Sequence, residues 1–274
     1  MAKQKGQHPI QGTIGNATHY YHPQFGWLLR EKSSLNKDKI YRDPSFTNTL
    51  CNAVEFKRAT RAAMQLRFAF HPALQPIKDV WLSGRMNALL LETIKSDVAN
   101  RRGDRCVQNG QASLLEGFNF CKDTKLEKVF PVECSSHIDP ATGNMYIDIP
   151  SFIPQRMLKP TGGASYFTII SVAASLDFIN NRPARYEQET SLMAIDQPTI
   201  PAFRMQHAVA TAPGQLLFLT LGIVFYAVPA DIPNDLLSKR KRLRLGKGDA
   251  PVAYAGALVI LRTAVATAPA CDGA

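Results

Sequence analysis

The sequence predicts an α+β chain in which an amino-terminal β-hairpin and a basic helical hairpin precede an antiparallel β-sandwich or open barrel. Three observations carry that expectation. Aromatic and β-branched residues flank a turn former between Thr18 and Leu29, and apolar residues recur at three- and four-residue intervals from Leu50 to Phe70. Prolines at 150, 154, 160, 183, 198, 201, 213, 229, 233 and 251 cut the remainder into pieces that suit strands rather than a helical bundle. With 45% hydrophobic and 20% charged residues in 274, the chain has the balance of a packed protein rather than a disordered one.

Residues 1–47 are rich in glycine, aromatics and basic residues. Thr18, Tyr20 and Tyr21 lie before, and Trp27, Leu28 and Leu29 after, a turn at Pro23 to Gly26, which is the pattern of a hairpin. Two strands alone are marginal in water. The rings and side chains Ile14, Tyr20, Tyr21, Phe25 and Trp27 are therefore expected to pack on another element or another subunit, and they form the candidate self-association set.

Residues 48–125 form the second expected region. Leu50, Val54, Ala59, Ala62, Ala63, Leu66 and Phe70 mark a helix of about 20 residues, which Pro72 and Pro76 end. Lys57, Arg58, Arg61 and Arg67 lie largely off that stripe and are candidate polyanion-binding residues. A second helix is expected from about residue 77 to 99, with Val80, Met86, Leu89, Leu90, Ile94 and Val98 on its apolar side, closed by Arg101-Arg102-Gly103.

Residues 126–274 read as the β domain. A strand at Met145 to Pro150 follows the turn chemistry of Thr142-Gly143-Asn144, and longer candidates follow at 166–178, 186–195, 203–210, 215–228 and 252–263. That gives about seven strands. Between the last two, Lys239, Arg240, Lys241, Arg242, Arg244 and Lys247 place six cations within nine residues, a loop suited to phosphates or acidic partners.

The net charge of +10 comes almost wholly from residues 1–128. Nucleic acid, an anionic membrane surface and an acidic protein would each be attracted to it, and so would plain water. Single-strand recognition further requires exposed rings beside the cations, and Phe56 and Phe68 suit either that role or helix burial.

Catalytic and metal signals are weak. The five cysteines show no paired spacing, which fits a reducing compartment better than a disulfide scaffold. No apolar stretch follows the basic start as an export signal requires, and the apolar run Leu216–Val228 is too short and interrupted for a membrane helix. Cytoplasmic location is the default expectation, with leaderless export also open. His19 and His22 would point to opposite faces of a strand, so no shared metal is expected, and no histidine sits in a nucleophile–carboxylate arrangement. Glu187 and Glu189 would share a strand face. Neither Gly12-Thr13-Ile14-Gly15 nor Gly246-Lys247-Gly248 has the frame of a phosphate loop, and no cofactor is expected.

The chain resembles an uncharacterised protein family of Bacteroidota. The resemblance is carried by Met1 to Gly6, Gly12 to Gly15, Tyr20-Tyr21, Gly26 to Lys32, Asp43-Pro44-Ser45-Phe46, Asn52 with Glu55-Phe56, Leu114 to Phe118, Ile149 to Pro154 and Leu219 to Tyr226. It implies no particular activity. The chain departs from that pattern at the basic stretch 239–247 and at His19 and His22. The first expectation is thus a non-enzymatic structural or assembly protein, a subunit of a homo-oligomer or filament. The alternative is a nucleic-acid or polyanion binder using the basic helix and basic loop, and an enzyme whose residues converge from afar stands third.

Overall fold

The computed structural model describes residues 2–4, 10–23, 25–31, 37–77, 79–160, 163–180, 182–227 and 252–268. They show a mixed α+β fold with an amino-terminal antiparallel sheet, several helices and a larger antiparallel sheet, in two compact units, Met1–Cys51 and Asn52–Ala274. The expected basic stretch 239–247 lies outside the described residues.

In the first unit the anticipated hairpin is present as β3 (Ala17–His22) and β4 (Gly26–Glu31). Its loop closes with Gly26 at φ +75°, the left-handed residue that a three-residue hairpin loop places after its turn. The pair does not stand alone. Two strands too short to read from sequence, β1 (Ala2–Lys3) and β2 (Gly12–Ile14), flank it in the order β1-β4-β3-β2. The amide of Gln4 secures this arrangement, donating to the Leu28 carbonyl at 3.1 Å and exchanging bonds with the backbone of Ile10. A short helix α1 (Lys37–Arg42) and a 3₁₀ turn (Pro44–Phe46), capped by Asp43 on the Ser45 N–H, lead to α2 (Thr47–Ala69).

Helix α2 buries Ala59, Ala62, Ala63 and Leu66 of the stripe that the periodicity marks, and Glu55, Gln65 and Ala69 beside them, while Leu50 is only half-buried. It ends where His71-Pro72 starts the single turn α3 (His71–Leu74), because Pro72 has no N–H to continue the ladder. Helix α4 (Leu82–Lys95) is shorter than expected. Val80 and Val98 fall outside it and are exposed, and Val54 of α2 is exposed too. Asp79 fixes the start of α4, accepting from the Trp81 N–H, the Arg85 guanidinium and the Lys122 N–H at 2.7 to 3.0 Å.

A 3₁₀ turn (Ala112–Leu115) and α5 (Leu126–Val129) precede the strands β5 (Ser135–Ile138) and β6 (Asn144–Ile149), then α6 (Pro154–Met157). There follow β7 (Tyr166–Asp177), β8 (Arg182–Glu189), β9 (Met193–Ala194), β10 (Phe203–Ala208), β11 (Leu216–Ala227) and β12 (Val252–Val265). The strand expected at 186–195 starts earlier and breaks before β9. Strands β10-β6-β5 form one antiparallel sheet; β12-β11-β7-β8 form the larger one, with β9 also paired to β7.

The larger sheet is covered on both faces. Phe167, Ile169 and Ala173 of β7 and Leu217, Leu219, Leu221 and Ile223 of β11 share a core with Met145, Ile147 and Met205 of the smaller sheet. The alternate residues Ile170, Val172, Leu216 and Phe218 share another with Leu66 and Phe70 at α2 and Met86, Leu90 and Ile94 of α4. Helices and sheet thus build one core together. Gly222 of β11 lets the chain pass close to β12: a Cβ there would meet the Ala257 carbonyl oxygen at 2.6 Å and a Leu258 methyl at 2.8 Å. The edge strand β12 is met by residues 117–120, whose Gly117 and Phe120 N–H groups donate to Ile260 and Leu258.

Candidate functional site

The register of the amino-terminal sheet sorts the candidate self-association residues by face. Ile14 lies opposite Ala17, and Tyr21 opposite Trp27, so Ile14, Ala17, His19, Tyr21, Trp27 and Leu29 line one side. Ile14 is 57% and Tyr21 53% exposed, and the Tyr21 and Trp27 rings meet edge to face at 5.2 Å. Tyr20 is on the opposite side beside the buried Leu28, with the Arg30 guanidinium 5.7 Å from its ring centre. Phe25 sits in the loop against His22. Three of the five residues therefore form one apolar face, and the other two do not join it. The backbone edges of the hairpin are partly paired: β2 covers Ala17–His19 and β1 covers Leu28 and Leu29.

The predicted cations of α2 also divide. Arg58 donates to the Gly103 and Arg105 carbonyls at 2.6 and 2.9 Å, and Arg67 to the Ser83 hydroxyl at 2.7 Å. Both fasten the helix to its surroundings. Lys57 and Arg61 point outward with Met64, while Phe56 and Phe68 are 52% and 66% exposed. The rings that single-strand recognition would need are thus on the surface.

The structure adds cations that sequence distance concealed. Lys95 at the end of α4, with Arg102 and Arg105 of the next loop, joins Asn52, Glu55, Phe56 and Leu91 around a cavity of about 450 Å³. Glu55, only 1% exposed, accepts from the Gly103 N–H and Arg105 Nε, both at 2.8 Å. Burial alone would raise its pKa, but those hydrogen bonds and the Arg105 charge hold it below the ordinary carboxylate value. Arg105 is thereby neutralised. Asn52 Oδ1 accepts from Arg102 Nε and Nη2 at 3.1 and 2.7 Å and orients that guanidinium. Exposed Lys95 and Arg102, from two different segments, stand with Arg105 at this cavity.

Buried polar groups elsewhere are structural in geometry. Ser171 Oγ donates to the Thr220 carbonyl at 2.9 Å and accepts from His207 Nε2 at 2.8 Å, with Ser171 and His207 both buried. His207 Nδ1 meets no carboxylate, and burial pushes its pKa from 6.5 down to about 4. This enclosed pair lacks the orienting acid and the access that an acyl-transfer site needs. Glu187 and Glu189 share one face of β8 as expected and line a groove with Pro76 and Tyr226. Glu189 Oε1 accepts from Thr168 at 2.7 Å and from Tyr226 at 3.2 Å. Burial, then the neighbouring Glu189 charge, raise Glu187, against the opposing pull of Arg185. Burial lifts the Cys134 thiol to about 11, so it stays protonated.

Among the described residues, no group of three or more His, Cys, Asp or Glu side chains gathers as a metal site. His19 and His22 fall on opposite faces of β3. No described helix is long and apolar enough to cross a membrane. Comparisons with protein-family models, curated proteins and solved structures give no match to the chain.

Proposed function

We propose that this chain is a non-enzymatic assembly protein that associates with copies of itself through the amino-terminal sheet. The observation that carries the reading is the sheet face on which Ile14 and Tyr21, both more than half exposed, lie beside a half-buried Trp27. The face, rather than the hairpin edge, is the connecting surface, because flanking strands of two and three residues already blunt both edges. In this reading the two carboxy-terminal sheets are a β-sandwich that serves as the body, and the Bacteroidota resemblance describes a family of such subunits. Light scattering over a wide concentration range tests it: wild type should form species larger than a monomer, and Tyr21→Lys should not. A monomeric wild type at every concentration contradicts the proposal.

A second reading, binding of single-stranded nucleic acid, is favoured by one specific arrangement. Exposed Phe56 and Phe68 lie on the same helix as outward Lys57 and Arg61, combining stacking surfaces with phosphate attraction. Its signature is affinity for oligonucleotides that falls steeply as salt rises.

A further inference from the structure

We propose that a single strand of nucleic acid runs along the outward stripe of α2, with one phosphodiester on Lys57, one on Arg61, and a base seated in the cavity between the end of α2 and strands β7 and β8. The proposal rests on the single-strand reading above and names its binding track. Successive residues of a helix turn by about 100° and rise about 1.5 Å, so Lys57, Arg61, Met64 and Phe68 fall within an arc of about 60°. All four are exposed. The stripe changes character along its length. Its amino-terminal part is cationic, and neither Lys57 nor Arg61 is engaged in a hydrogen bond or ion pair among the described residues. Its carboxy-terminal part is apolar: Met64 and Phe68 are 57% and 66% exposed and, with Leu176 of β7 and Pro183 of β8, wall a cavity of about 350 Å³ whose polar lining is Gln65 and Asp177.

The spacing suits a linear polymer. Lys57 and Arg61 stand one turn, about 6 Å, apart, and each meets a phosphodiester, whose single negative charge one cation matches. Phe68 lies about 10 Å beyond Arg61, so a strand following the helix carries a base over its ring. Phe56 lies about 100° around the helix from Lys57 and is off this track. The cavity is within the size range of small-ligand pockets, and its mixed lining chooses among occupants. An acyl chain would leave Gln65 and Asp177 against hydrocarbon, a second copy would bring like charge against Lys57 and Arg61, and an amphipathic helix needs a longer apolar face than Met64 and Phe68 offer. A base has both a flat apolar face and a polar edge. Arg185 of β8 donates to the Phe68 and Ala69 carbonyls at 3.2 and 3.3 Å, so the two walls are joined by the chain itself.

The test uses the full chain and the anisotropy of a fluorescein-labelled oligothymidylate at about 50 mM salt, where phosphate contacts are strong. Phe68→Ala should weaken binding about tenfold while Phe68→Tyr keeps it, as expected for loss and retention of one stacked base. Lys57→Gln and Arg61→Gln should each lower the salt slope by about 0.7, one phosphate contact. Phe56→Ala should bind like wild type. All four positions are exposed, and unchanged circular dichroism confirms folding. Inorganic polyphosphate, which carries charge without bases, should compete far less well than unlabelled strand at equal phosphate concentration; equal competition overturns the base cavity. Tighter binding of phosphatidylserine vesicles or polyglutamate than of the strand, lost in Phe68→Ala, assigns the stripe to a lipid surface or an acidic protein and also overturns the proposal. If Phe68→Ala binds like wild type while Phe56→Ala does not, the track is overturned and the single-strand reading stands. If wild type does not bind the strand, both fall.

Discussion

His207 is a neutral ring enclosed between two sheets, and its titration has a defined consequence for stability. Its folded pKa, about 4, lies below its ordinary 6.5, so between those values the unfolded chain binds the proton and the folded chain does not. The stabilisation is complete above about pH 6.5 and is lost as pH falls toward 4. For a residue 1% exposed, the shift corresponds to about 3 kcal/mol at most. Urea unfolding should therefore show a falling midpoint between pH 7 and 5, and His207→Gln should flatten that slope; equal slopes would contradict the account. The paired carboxylates act in a lower window. Glu55 and Asp79, both held below their ordinary values of 4.5 and 3.8, stabilise the fold above those values, and their contribution is lost only in stronger acid.

Two elements depend on contacts that the sequence does not advertise. The 101–105 loop is tied to α2 by Glu55 together with Arg58 and Asn52, and Glu55→Ala would strand Arg105 beside an emptied site. A loss of about 3 kcal/mol is expected, read as a drop in the urea midpoint. Strand β11 approaches β12 at Gly222 so closely that Gly222→Ala must push a backbone carbonyl aside. It should cost about 1–3 kcal/mol in the same assay, whereas Gly84→Ala, with open space around its position, should be tolerated. These elements also show where pattern reading works. Strands β6 and β10 alternate buried and open residues, so period two marks them. Strands β7 and β11 are buried along nearly their whole length, which explains their continuous apolar runs. Strands β1, β2 and β9, of two or three residues, carry too little pattern to detect. On α2 the stripe is legible, but Arg58 and Arg67 look like surface cations until their carbonyl and hydroxyl partners are seen. Lys95, Arg102 and Arg105 are remote from Phe56 in the chain, so only folding reveals their cavity.

At the scale of the whole molecule, the charge of +10 separates the two functional readings. Like charges oppose self-association, and salt screens them, so assembly through an apolar face should strengthen as salt rises. Polyanion binding should weaken over the same range because counterion release is lost. The larger sheet offers little competing surface, as one face meets the helices, the other the smaller sheet, and residues 117–120 pair with the β12 edge. In the assembly reading proposed above, the connector is the amino-terminal face that carries exposed Ile14 and Tyr21. Sedimentation velocity of wild type beside an Ile14→Lys/Tyr21→Lys variant tests this most directly. The account predicts a concentration-dependent shift to faster species for wild type and a single slow species for the variant, both with the same unfolding midpoint. Identical sedimentation of the two proteins would contradict it.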